Sequence, residues 1–232
     1  GYAELALANV SSLDVIPDSL AADIAVAAIG TGRTAQMILD AAILTPKDVA
    51  IVTAAASGVG SLLVQSAHHL GATVIALAGG PEKVGLVRKL GTDIAIDYRV
   101  EGWHEGLRRY IASGNLQPTI SFDGVGGDLG RAAFDLLGPL GRHIVFGWSS
   151  GSTTKISVMD LYDRSRTVTA AIGSGAMSRY PDTRPLETRA LDAAIAGTAV
   201  PIVGQRFALA DARDAHRAVS GRGTIGKTVL VP

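Results

Sequence analysis

Val49-Ala-Ile-Val-Thr-Ala-Ala-Ala-Ser-Gly-Val-Gly60 is an apolar run that breaks into a turn of small residues, and its continuation decides the fold. A helix-like stretch over 59–70 follows, then a second apolar run, 73–78, ending in Gly79-Gly80-Pro81-Glu82-Lys83. Strand, tight turn, helix, strand is the βαβ unit that sets a dinucleotide diphosphate on a helix N-terminus, where unpaired N–H groups and the macrodipole favour negative charge. Measured against G-x-G-x-x-G, Ala55 and Ser57 stand at the first two glycines and only Gly60 is kept. The letters alone are therefore a weak fingerprint. The surrounding βαβ context carries the reading, because Ala and Ser are still small enough for the backbone to approach a phosphate.

The end of the second strand indicates which dinucleotide. A chain that prefers NAD usually places an Asp or Glu about 20 residues past the glycines, on the ribose 2′-hydroxyl. Between Gly60 and Glu82 this sequence has no acidic residue. The strand opens instead into Gly79-Gly80, with Lys83 just beyond and Tyr98-Arg99 at the end of the next apolar run, 94–98. Compact positive charge and hydroxyl donors suit a 2′-phosphate, so the expected cofactor is NADP(H).

Composition bounds the alternatives. The chain has 232 residues, 47% hydrophobic, with a formal net charge of zero and no cysteine. That length supports one or two domains with a core that needs no staples. The absence of cysteine excludes a disulfide framework and a thiolate zinc site within these residues. Charge neutrality gives no reason to expect a nucleic-acid or acidic-membrane partner. No apolar run approaches the roughly 20 residues needed to span a bilayer, and Gly1 to Val10 lacks the basic start of a signal peptide. The expectation is a cytoplasmic protein. The chain opens with Gly rather than Met, inside what reads as a strand over 2–8, so its natural start is expected upstream.

Taken in order, the opening strand gives way to a proline-bearing connection, Leu13-Asp14-Val15-Ile16-Pro17-Asp18. Asp18 or Ser19 is expected to cap a helix over 20–29, followed by a second over 34–42. Strands are expected at 48–53, 73–78, 94–97, 118–122 and 141–147, with helices at 59–70, 82–90, 102–112 and 127–137. Near-continuous apolar strands alternating with amphipathic helices imply an α/β, doubly wound parallel Rossmann sheet covered on both faces. A sixth strand is expected at 166–172, where an exposed edge invites pairing. Beyond it come a polar loop over 173–185, a helix over 185–196, a short strand at 205–208, a helix over 212–219 starting at Asp211, and a last strand over 226–231. This tail does not read as alternating βαβ units.

Several of these stretches together resemble one family. They are Thr53 to Gln65, Pro81-Glu82-Lys83, Leu90-Gly91-Thr92-Asp93 before Ile96-Asp97-Tyr98, Asp123-Gly124-Val125-Gly126-Gly127, Phe146 to Gly151, and the closing Gly226-Lys227-Thr228-Val229-Leu230. The pattern is similar to the zinc-independent quinone oxidoreductase branch of the medium-chain dehydrogenase/reductase superfamily. That resemblance implies three parts: residues 1–21 as the last strand of a GroES-like catalytic domain otherwise missing, 22–180 as the NADP-binding Rossmann domain, and 181–232 as the segment that returns to the catalytic domain.

The resemblance also implies site residues. Thr34, in Gly32-Arg33-Thr34, would reach the nicotinamide carboxamide, and Ser57, Gly58 and Val59 would line the diphosphate. Gly79, Gly80, Lys83 and Tyr98 match the 2′-phosphate pocket. Val125, Phe146, Gly147 and Ser149 follow the fourth and fifth strands at carboxyl ends, where open α/β sheets bind ligands, and Arg222 would close over the cofactor. The implied reaction is hydride transfer from NADPH to a small electrophile, a quinone or an α,β-unsaturated carbonyl. The nearest alternative is an enoyl-thioester reductase, standalone or part of a polyketide synthase; another is a non-catalytic NADPH-binding protein or fragment. Relatives pair through the sixth strand, so a homodimer is expected.

No residue qualifies as a general acid, and the catalytic residues are unassigned. His68-His69 are helix neighbours that do not share a face and have no third ligand near them, so no metal site is expected. Trp148 stands where a small polar residue is expected, suited either to stacking near the nicotinamide or to packing. Gly173-Ser174-Gly175 lacks the strand-to-helix context of a nucleophile turn.

Overall fold

The computed structural model describes residues 2–10, 13, 15–114 and 116–232. Gly1 and Asp14 of the opening segment lie outside them. Six strands, β1 (Val49–Val52), β2 (Thr73–Ala78), β3 (Ile94–Asp97), β4 (Ile120–Asp123), β5 (Arg142–Val145) and β6 (Thr167–Ala170), form one sheet in the order β3-β2-β1-β4-β5-β6. Every pairing is parallel. The order reverses between β1 and β4, the topological switch point at which doubly wound sheets bind ligands.

The inner strands β1 and β2 are apolar because both faces are covered. Ala50, Val52, Val74, Ala76, Phe122 and Ile144 face one core with α2 (Arg33–Ala42) and α3 (Gly58–Leu70). Ile51, Ile75 and Leu77 face the other, against Leu107 of α5 (Trp103–Ser113) and Ala133 of α6 (Gly127–Asp135). Helix α4 (Pro81–Lys89) connects β2 to β3.

The amino end departs from expectation. No strand forms over 2–8: it has no ladder partner among the described residues, and Leu5 and Leu7 stand fully in solvent. An extended segment without a neighbour leaves its N–H and C=O groups to water. Neither Asp18 nor Ser19 caps the first helix, because the Leu20 N–H bonds the Pro17 carbonyl at 2.9 Å in a turn that delays α1 to Ala22–Ala27. The two helices expected here are one path, joined by a π-helical turn, Ala28–Gly32.

The tail also differs. Helix α7 (Val158–Tyr162) opens on a capping box between Ser157 and Asp160, and α8 (Ser174–Met177) lies inside the expected loop. Helix α9 (Arg184–Ile195) packs on α2, with Arg33 to Glu187 at 2.9 Å and Arg189 to Asp40 at 2.8 Å. Strands β7 (Val203–Ala208) and β8 (Lys227–Val231) pair in parallel across α10 (Ala212–Ser220). The tail therefore does contain a βαβ unit, contrary to expectation. Its first strand carries mixed polarity because β7 alternates half-buried with exposed residues, so it lacks the apolar run that marks two-sided burial.

Gly60 fixes how closely α3 meets the sheet: a Cβ there would overlap the Ala54 carbonyl oxygen. Gly60→Ala is expected to lower stability by about 1–3 kcal/mol through this backbone collision. Urea melts that place the variant within about 0.5 kcal/mol of the parent would contradict it.

Candidate dinucleotide-binding site

A cleft of about 310 Å³ opens at the switch point, lined by Thr31, Thr53, Ala54, Ser57, Gly58, Val59, Gly124, Phe146, Ser149, Gly226 and Lys227. Its floor is the amino end of α3. Ser57 takes the N-cap, its Oγ accepting from the Gly60 N–H at 3.1 Å. The Gly58 and Val59 N–H groups have no partner among the described residues. Two unpaired donors on a helix N-terminus suit a diphosphate. Lys227 adds a cation: a Cβ on Gly58 would stand 2.8 Å from its Cδ. The C-terminal unit brings that lysine in by docking on the turn, with the Gly226 N–H donating to the Ala56 carbonyl at 2.9 Å.

Asp123 organises the opposite wall. It is fully buried at the end of β4, and its Oδ1 accepts from the Val125 N–H at 3.0 Å, the Gly126 N–H at 2.9 Å and the Thr53 hydroxyl at 3.3 Å. Its Oδ2 accepts from Thr154 Oγ1 at 2.6 Å and lies 3.5 Å from His143 Nε2. His143 Nδ1 is 2.7 Å from Ser121 Oγ. Burial pushes the carboxyl up, but the contacts with His143, Thr154 and the two N–H groups outweigh it and hold it at about 2. The Gly124-Val125-Gly126 loop is thus tied to a charge that stays ionised across the physiological range.

The expected site residues fall into two groups. Ser57, Gly58, Val59, Phe146 and Ser149 line the cleft directly. Val125 lies behind it on the Asp123 loop, and Gly147 is held against that loop, where a Cβ would meet the Gly124 carbonyl oxygen at 3.0 Å. Thr34 sits one helical turn from the cleft-lining Thr31, with its hydroxyl donating to the Gly30 carbonyl at 3.1 Å. Gly79, Gly80, Lys83 and Tyr98 gather at the ends of β2 and β3 outside the cleft lining; a Cβ on Gly79 would lie 2.6 Å from the Tyr98 hydroxyl.

Arg222 joins the two groups. Its carbonyl accepts from Lys83 Nζ at 2.8 Å, and its guanidinium donates to the Ser149 carbonyl at 3.1 Å. Trp148 is exposed beside the cleft and does not line it.

Sequence reasoning did not single out Thr31, Thr53 or Lys227 as site residues. Lys227 was visible only within the closing Gly-Lys-Thr-Val-Leu run, whose approach to the turn depends on the long-range pairing of the tail. Among the described residues no group of three His, Asp or Glu side chains is placed to hold a metal, and no helix is long and apolar enough to cross a membrane.

Comparison with known proteins gives the same frame. Residues 58–188 match the family model described as zinc-binding dehydrogenase. The chain is 34% identical over 204 residues to a 2-haloacrylate reductase of Burkholderia sp, covering 87% of this chain and 61% of that protein. It is 30% identical over 236 residues to a quinone oxidoreductase of Pseudomonas aeruginosa, covering 100% of this chain and 71% of that protein. The Escherichia coli quinone oxidoreductase solved with NADPH superposes with a TM-score of 0.81 at 29% identity, over 94% of this chain and 68% of that one. The chain belongs to the zinc-binding dehydrogenase family, in the quinone oxidoreductase-like part of the medium-chain dehydrogenase/reductase superfamily. The described residues do not fit the zinc of the family's description, since they offer neither a cysteine nor a ligand cluster.

A carboxyl at about 2 in the folded chain and at its ordinary 3.8 once unfolded stabilises the fold above about pH 4, a contribution lost as pH falls towards 2. Asp123→Asn is expected to be less stable at pH 6 but to lose about 2 kcal/mol less than the parent between pH 6 and pH 2.5. Parallel stability curves for the two proteins would contradict this.

Proposed function

We propose that this chain is the coenzyme-binding part of an NADPH-dependent oxidoreductase acting on a quinone or an α,β-unsaturated carbonyl. The observation that carries the coenzyme choice is the end of β2. No Asp or Glu lies between Gly60 and Glu82, and the strand opens into Gly79-Gly80 beneath the Tyr98 hydroxyl, which has no hydrogen-bond partner among the described residues. Lys83 stands beside it on the first turn of α4. A 2′-hydroxyl has no carboxylate to bind there, whereas a 2′-phosphate finds an ammonium and a phenol.

When bound, the coenzyme supplies the hydride. The Gly58 and Val59 N–H groups would hold the diphosphate, with Lys227 neutralising its charge. The loops after β4 and β5, fixed by Asp123, would orient the nicotinamide end and limit water around it. Thr34 would take part by turning its hydroxyl from Gly30 towards the carboxamide. The names of two relatives, quinone oxidoreductase and 2-haloacrylate reductase, support an electron-poor π-system as acceptor. In this reading residues 22–180 form the coenzyme domain, and residues 1–21 and 181–232 belong with a catalytic domain.

Self-association through β6 is part of the proposal. Strand β6 is a sheet edge with exposed residues, and Val158, Met159 and Tyr162 of α7 stand in solvent. An unpaired edge next to apolar side chains favours pairing with a second copy.

Two measurements test these statements. Lys83→Ala should weaken NADPH binding by about three- to tenfold, the worth of one partly exposed charged contact, while NADH binding changes by no more than about twofold. Equal losses for both would remove the assignment. Light scattering at micromolar concentration should give twice the 23.8 kDa chain mass, and a monomer mass would refute pairing through β6.

A further inference from the structure

The end of β3 carries a second cation, and the fold lays it across the same turn. Asp97 Oδ1 accepts from the Gly80 N–H at 2.8 Å and from the Arg99 N–H at 2.9 Å, so one carboxylate ties the β3 end to the β2 turn. A Cβ on Gly79 would stand 3.1 Å from Arg99 Nε, and one on Gly80 would stand 3.3 Å from its Nη1. The guanidinium therefore covers the two glycines from the outside, next to the Tyr98 hydroxyl.

Its partners distinguish it from Lys83. The Lys83 ammonium is already committed to the Arg222 carbonyl. Burial and then the Arg99 charge lower its hold on the proton. Arg99 makes no ion pair and no side-chain hydrogen bond among the described residues. Asp97 feels the Arg99 charge, but the stronger influences on its carboxyl are the two N–H bonds it accepts. Two like charges held together, one with an unused planar fork, create a field that a compact dianion relieves.

We propose that Arg99 is the principal specificity-determining cation for the 2′-phosphate, gripping it through the guanidinium fork while Tyr98 and Lys83 flank it. This rests on the NADP(H) reading above, which counted Arg99 only as one of the charges near the end of β2, and it ranks Arg99 above Lys83 in the discrimination. Lys83 then contributes charge and holds the Arg222 loop, and Arg99 supplies the geometry that separates a phosphate from a hydroxyl.

Calorimetric titration of the full chain with 2′,5′-ADP and with 5′-ADP separates the two levels. The parent should prefer 2′,5′-ADP. Arg99→Ala, at an exposed position, should leave the melting temperature unchanged, weaken 2′,5′-ADP by about tenfold or more and leave 5′-ADP within about twofold. Arg99→Lys should recover only part of the loss, because an ammonium lacks the fork. A preference that survives in Arg99→Ala but disappears in Lys83→Ala overturns the role given to Arg99 and leaves the NADP(H) reading standing. A parent chain without preference overturns the NADP(H) reading itself.

Discussion

Everything at the site depends on how closely the amino end of α3 meets the end of β1. Gly60 has no side chain between it and the Ala54 carbonyl, so the helix seats against the strand. Its first two N–H groups then face the cleft. Ser57 satisfies the Gly60 N–H and leaves those of Gly58 and Val59 open. A helix shifted outward by one side chain would keep its macrodipole and lose the alignment with Gly124 and Phe146 across the switch point. The turn thus couples a packing constraint to a binding geometry, and for that reason its spacing matters more than its individual letters.

Around this contact the molecule divides its electrostatics. In the proposed reading the diphosphate end would meet backbone donors and Lys227, the adenosine end Lys83, Tyr98 and Arg99, and the nicotinamide end the loops held by the buried Asp123 network. Arg222 ties the outer two ends together, with its backbone in the left-handed region at φ +56°. A residue held in that conformation is kept there by its surroundings, here by Lys83 on one side and Ser149 on the other.

Much of this was legible in the sequence because two-sided burial writes itself as apolar runs. Strands β2 and β3 fall on the residues expected, and β1, β4, β5 and β6 fall within one or two residues of their expected ends. What was illegible lacked such runs. Strands β7 and β8 were expected near their observed places, but β7 alternates half-buried with exposed residues and carries no apolar run, which hid their parallel pairing as a second βαβ unit and the route by which Lys227 reaches the turn. The opening strand was misread for the opposite reason: alternation suits a strand, yet alternation without a neighbouring ladder does not make one. The π-helical turn at Ala28–Gly32 has no sequence marker and concealed Thr31, while Thr34 one turn on was named.

The most direct test of the diphosphate assignment is an amide-resolved NMR titration of the chain with NADPH. The account predicts that the Gly58 and Val59 N–H resonances shift downfield on binding, as expected for donors that gain charged acceptors, together with Gly124 on the opposite wall. Saturating NADPH that leaves Gly58 and Val59 unmoved, with shifts confined to other surfaces or absent, would contradict it.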